Sequence, residues 1–133
     1  MTERINISSG TRWEAFAGYS RAVRLGNVIE VAGTTAVDEQ GRVFGAGSPY
    51  QQACYIFAKI ERALQEAGGS LGDVVRTRMF VTDISRWEEV AQAHGEFFEK
   101  IRPASTLVAV MALVEPELLV EIEATAILPV GGN

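Results

Sequence analysis

The sequence predicts a single α+β domain, a mainly antiparallel sheet with two helices packed on one face. Two long segments repeat apolar residues at helical spacing, and several shorter ones alternate apolar with polar residues at period two. The alternation is too polar for a parallel sheet covered on both faces, so the helices belong on one side only. Residues 1–133 make one domain, because 133 residues can bury a core without metal or disulfide staples. The sequence contains no internal repeat and no low-complexity segment.

Taken in order, Glu3 to Ser8 alternates around Ile5 and Ile7 and reads as a short strand ended by Ser9-Gly10. Arg21–Leu25 and Val28–Ala32 flank Gly26-Asn27, a pair suited to a two-residue hairpin turn. From Gly33 to Gly47 no period persists, and the glycines there lack phosphate-loop spacing, so a loop follows. Ser48-Pro49 with Gln51 opens a helix whose Ala53, Ile56, Phe57, Ile60, Ala63, Leu64 and Ala67 share a face, and Gly68-Gly69 closes it. Cys54 lies beside that stripe and reads as an inert, buried thiol.

Val74 to Thr82 is a strand with Val75, Thr77, Met79 and Val81 on one face and Arg76, Arg78 and Phe80 on the other. A second helix opens with the capping-box pattern Ser85 to Glu88 and places Trp87, Val90, Ala91, His94, Phe98 and Ile101 on one face. His94 there reads as a core histidine with one satisfied nitrogen. The last strands, Ala104–Met111 and Leu118–Leu128, flank a short connection with Glu115 and Pro116 and suggest a hairpin. In the second of them Glu121 and Glu123 share a face with Leu119, Thr125 and Ile127, opposite Val120, Ile122 and Ala124.

Composition excludes several function classes. A net charge of −5 opposes binding to nucleic acid phosphates. One Cys and one His far apart in sequence argue against a transition-metal site, and a lone Cys cannot form an internal disulfide. With no signal-like start and no apolar run of about 20 residues, a cytoplasmic protein with no membrane partner is expected.

The Pro103-Ala104 pair, the run VEIEA (Val120 to Ala124), AGYSRAVRLGNVIEVAG (Ala17 to Gly33) and AGGSLGDVVRTRMFVTDI (Ala67 to Ile84) together resemble the RidA/YjgF family of imine and enamine deaminases. The resemblance implies a chorismate-mutase-like fold, a homotrimer, and small-molecule sites between subunits that use no cofactor and no metal. It places the catalytic glutamate at Glu121 and pocket residues at Tyr19, Ala32, Gly33, Ser105 and Leu107. Ser105 stands where that family carries an arginine for the substrate carboxylate, Leu107 where it often has Cys, and Ala32 where it usually has Ser.

Without the arginine, a substrate carboxylate about 4 Å from Glu121 meets roughly 4 kcal/mol of repulsion at an effective dielectric of about 20. Ser105 offers one neutral hydrogen bond, about 1 kcal/mol net. Amino-acid-derived imino acids are therefore expected to be poor ligands unless Arg76, Arg78 or a neighbouring subunit supplies the charge. Beside Leu107 and Leu119, Glu121 is expected to be partly desolvated and suited to acid–base work. Three functions compete: a small imine or enamine hydrolase, a non-catalytic trimeric metabolite binder, and an endoribonuclease. The acidic balance and the absence of an aromatic and basic RNA-binding motif disfavour the last.

Overall fold

In a computed structural model that describes residues 3–130, the chain runs β1 (Arg4–Ile7), α1 (Arg12–Ala17), β2 (Ala22–Leu25), β3 (Val28–Thr34), α2 (Pro49–Glu66), β4 (Val74–Val81), α3 (Trp87–Phe98), β5 (Ala104–Ala109) and β6 (Val120–Ile127). The six strands form one sheet in the order β1-β2-β3-β6-β4-β5. Every neighbouring pair is antiparallel except β4 with β5. The β2–β3 hairpin turns at Gly26-Asn27, where Gly26 takes φ 64°.

The sheet centre follows from β6. Val120, Ile122, Ala124 and Ala126 are all fully buried beneath α2, which contributes Ala53, Ile56, Phe57, Ile60, Ala63 and Leu64. Ser48 caps α2 by accepting from the Gln51 N–H, and Pro49 occupies its first turn. Glu121, Glu123 and Thr125 alternate onto the opposite face, which neither α2 nor α3 covers and where all three are half-exposed.

Several sequence expectations change. β5 and β6 do not form a hairpin; β4 lies between them, parallel to β5 and antiparallel to β6. A parallel pair needs a crossover, and α3 supplies it. β6, apolar along its whole inner face, takes the centre, while β5, with four of its six residues exposed, takes the edge. Val75 is 43% exposed because a register shift between Val74 and Arg76 turns Val74 inward in its place. Trp87 is 47% exposed, since α3 buries Val90, Ala93 and Phe98 instead. The entry to α3 is a 3-10 turn, Ile84–Arg86, in which Asp83 accepts from both the backbone and the hydroxyl of Ser85, leaving no Ser85 capping box.

The sequence reading contains no α1. That helix has only six residues and leaves Phe16 87% exposed, so it shows no inward stripe; Glu14 instead ties it to Ser8, Ser9 and Thr11. His94 behaves as expected of a core histidine: Nε2 is 2.8 Å from the Thr77 hydroxyl, and the ring packs on Phe57 and Phe98. Burial holds its imidazole below the ordinary range. Cys54 is half-buried, and desolvation pushes its thiol up, away from reactivity. No helix among the described residues is long and apolar enough to cross a membrane.

Gln52 was not anticipated as a core residue. It is fully buried, donates to the carbonyls of Gly45 (3.3 Å) and Glu117 (3.0 Å), and accepts from the Leu119 N–H (2.8 Å). These bonds tie α2 to the segment that leads into β6. Gln52→Leu leaves those backbone groups without their partner, and orphaned buried groups cost about 1–3 kcal/mol each. The expected loss is about 2–4 kcal/mol, read as a lower urea midpoint at unchanged slope.

Candidate functional site

The site is built on an irregularity in β3. Between the pairs Val31 with Ala124 and Thr34 with Ile122, β3 spends one residue more than β6. The extra residue is the signature of a bulge, which re-aims backbone and side chains locally. Here it brings Gly33 under the carboxylate of Glu121, so closely that a Cβ on Gly33 would overlap Glu121 Oε2. Gly33 is therefore required for space, which its missing side chain supplies.

Arg21 braces the bulge from the other side. Its Nη2 donates to the Gly33 carbonyl at 3.0 Å, its Nη1 lies 3.4 Å from the Thr34 hydroxyl, and its guanidinium stands 5.8 Å from the Tyr19 ring centre. The Thr34 hydroxyl in turn donates to the Ala32 carbonyl at 2.8 Å. Burial raises the Glu121 carboxyl above the usual range; Arg21 works against that rise and Glu123 adds to it. Tyr19, Ala32 and Glu123 line an open groove of about 640 Å³ on the same uncovered face.

Glu123 is engaged elsewhere, 3.5 Å from Arg78 in a half-exposed ion pair. Arg76 donates to the Thr106 hydroxyl at 2.6 Å. Both arginines thus have partners on the outer face. The guanidinium beside Glu121 is Arg21, which the sequence reading passed over. A signal was available: Arg21 lies two residues beyond Tyr19, the spacing that returns an extended chain to the same side.

The remaining nominated residues lie apart. Ser105 pairs with Thr77 and Leu107 with Met79, both core residues on the helix side, whereas Phe80 pairs with Glu121. Paired residues share a face. So Tyr19, Ala32, Gly33 and Glu121 gather on one face, while Ser105 and Leu107 point to the other from edge strand β5. Leu107 packs against the core and does not flank Glu121 of its own chain. The Ser105 hydroxyl is exposed and joined at 2.8 Å to the Thr77 hydroxyl, which contacts His94. Among the described residues no cluster of His, Cys, Asp or Glu could hold a metal ion.

A glycine-seated glutamate on the bare face of a sheet with helices on the other defines the class of small α+β domain to compare. The model of the family described as Endoribonuclease L-PSP matches residues 9–128. RutC of Acinetobacter baylyi, named a 3-aminoacrylate deaminase, is 32% identical over 95% of this chain and 98% of its own. The uncharacterized protein SCO2049 of Streptomyces coelicolor is 35% identical over 90% and 89%. Among solved structures, Rv2704 of Mycobacterium tuberculosis, described as a member of the YjgF/YER057c/UK114 family, aligns with a TM-score of 0.86 at 48% identity, covering 95% of this chain and 100% of its own. The chain belongs to this family, the RidA/YjgF proteins.

Gly33→Ala tests the seat of Glu121. The added methyl pushes the flexible carboxylate end out toward water, at a stability cost on the order of 1 kcal/mol. Glu121, followed by carbon-detected NMR titration, then titrates closer to the ordinary value of about 4.3. An unchanged titration would mean that burial of Glu121 does not depend on Gly33.

Proposed function

We propose that this chain is a cytoplasmic hydrolase of small imines or enamines, working as a homotrimer with its sites between subunits and using neither cofactor nor metal. The observation that carries the reading is the half-buried Glu121, seated on Gly33 with its carboxyl raised by burial. Such a group takes up and returns protons nearer neutral pH than an exposed carboxylate. Glu121 removes a proton from water as its oxygen adds to the imine carbon. It returns that proton to the nitrogen to give a carbinolamine, then takes the hydroxyl proton and passes it to the nitrogen as the C–N bond breaks, which leaves a carbonyl and ammonia.

The division of the nominated residues between two faces supports an inter-subunit site. In one chain Ser105 and Glu121 point to opposite sides of the sheet, so a pocket containing both draws them from different copies. The uncovered face and edge also expose Leu25, Ile127 and Val108, apolar surface suited to burial between copies. The deaminase name of RutC supports the substrate class.

Glu121→Gln is expected to lower hydrolysis by at least about a hundredfold, the lower end for loss of an acid–base group, with the trimer intact by sedimentation. Glu123→Gln has a smaller effect, because Glu123 already faces Arg78. A base works only when ionised, so activity falls as pH drops through the raised value of Glu121, and the acid limb lies above about 4.3. Ligand binding with ammonia release never above the spontaneous rate would leave a metabolite binder and end the enzymatic reading.

The wild type is expected to turn over 2-iminopropanoate slowly, since Ser105 supplies no clamp for its carboxylate. Ser105→Arg introduces a charged hydrogen bond worth about 1.5–3 kcal/mol, which corresponds to about ten- to a hundredfold in affinity. Calorimetric titration of both proteins with pyruvate measures the gain. Fast wild-type turnover of the imino acid would assign the clamp to another arginine, with Arg21 the first to substitute.

A further inference from the structure

A second pocket of about 550 Å³, which shares Arg21 with the Glu121 site, lies between α2, the segment after β1 and the turn at residues 37–40. Lys59, Arg21, Arg62 and Tyr55 stand on its wall. We propose that Lys59 is a carbonyl-reactive amine and that this pocket binds small aldehydes or ketones carrying a negative charge, which Lys59 captures as an imine.

The hydrogen bonds of Lys59 carry the argument. Nζ donates to two carbonyls, Thr35 at 2.7 Å and Val37 at 3.0 Å, and no carboxylate among the described residues lies within 4.0 Å of it. A neutral amine has two N–H groups, and two acceptors use both while leaving the lone pair unclaimed. On losing a proton the amine therefore keeps an acceptor for each remaining N–H, and no carboxylate stands close enough to hold the ammonium as an ion pair.

Burial and the surrounding charges make the neutral form far more accessible than in an ordinary lysine, although the ammonium still predominates at pH 7. Burial, then Arg21, then Arg62 lower the amine to about 8, and Asp38 opposes them. A desolvated lysine beside other cations is an activated nucleophile. Asp38, Glu39 and Glu66 also line the pocket, so its charge is mixed, and Arg21 and Arg62 are the cations whose charge acts on the amine. Arg62 is free to meet an anionic group, since no hydrogen bond or ion pair engages it among the described residues.

The step balances without a further reactant. The Nζ lone pair adds to the carbonyl carbon and an amine proton passes to the oxygen. The carbinolamine then loses that oxygen as water, and a C=N bond forms. The chain has a single other lysine, Lys100, which is exposed and serves as an internal reference.

The whole protein is incubated at pH 7 with glyoxylate and cyanoborohydride, which reduces any imine to a stable carboxymethyl-lysine, and both lysines are followed by peptide mass spectrometry. Lys59 is expected to label at least about tenfold faster than Lys100, because a lysine at its ordinary value of about 10.4 is far less often neutral. The Lys59 rate saturates with glyoxylate, and Arg62→Gln raises the half-saturating concentration. Lys59→Arg keeps donors for Thr35 and Val37 and abolishes the fast phase. Labelling of Lys59 no faster than Lys100, or a rate that rises linearly without saturation, overturns the proposal. Persistence of the fast phase in Lys59→Arg overturns it as well.

Discussion

The burial of one side of β6 is the constraint on which the rest of the structure depends. Four side chains, Val120, Ile122, Ala124 and Ala126, must all reach the core beneath α2. Because strand side chains alternate, that requirement sends Glu121 and Glu123 to the opposite face with no freedom to choose otherwise. Full burial also gives β6 neighbours on both sides, so β3 and β4 flank it and β5 is displaced to the edge. The carboxylates are thus a by-product of the packing, and the bulge in β3 distinguishes between them by placing Gly33 under Glu121 alone.

That distinction separates two carboxylates of the same strand by environment. Glu123 has a cation across the strand in Arg78 and stays half-exposed. Glu121 is desolvated against a glycine, and its cation, Arg21, spends hydrogen bonds on the Gly33 carbonyl and the Thr34 hydroxyl. Arg21 therefore stabilises the backbone on which Glu121 rests and also opposes the rise that burial causes. Removing it alters both at once. The single buried side-chain polar atom without a partner among the described residues is its Nε, which shows how closely the guanidinium is enclosed.

Strong periodicity was legible in the sequence, and pairing was not. The apolar stripe of α2, the Gly26-Asn27 turn and the alternation in β6 can each be read from a local window, because one face of each is buried throughout. The partner of β5 could not, since a strand exposed on most positions carries little information about its neighbour. Short α1 escaped because six residues with exposed Trp13 and Phe16 show no inward face. In the site, family wording pointed to Gly33 and Glu121. The reason they belong together is a one-residue bulge, which no local pattern announces. Arg21 and Lys59 were missed because their importance lies in contacts with backbone carbonyls distant in sequence.

The long reach of the central pairing has a consequence for how the chain is made. The Thr125 hydroxyl donates to Glu30 across 95 residues of sequence, and the strand that fills the middle of the sheet comes after the other five in sequence. Until β6 leaves the ribosome, the β2–β3 hairpin and β4 have no partner on their facing edges, and α2 packs mainly on α3 and β3. Local helices and the hairpin form early, but the cooperative step waits for the C-terminal segment, since closing so long a loop must precede any gain from its contacts. A nascent chain stalled before β6 therefore exposes two unpaired strand edges and the part of α2 that β6 covers, which makes it a substrate for holding chaperones.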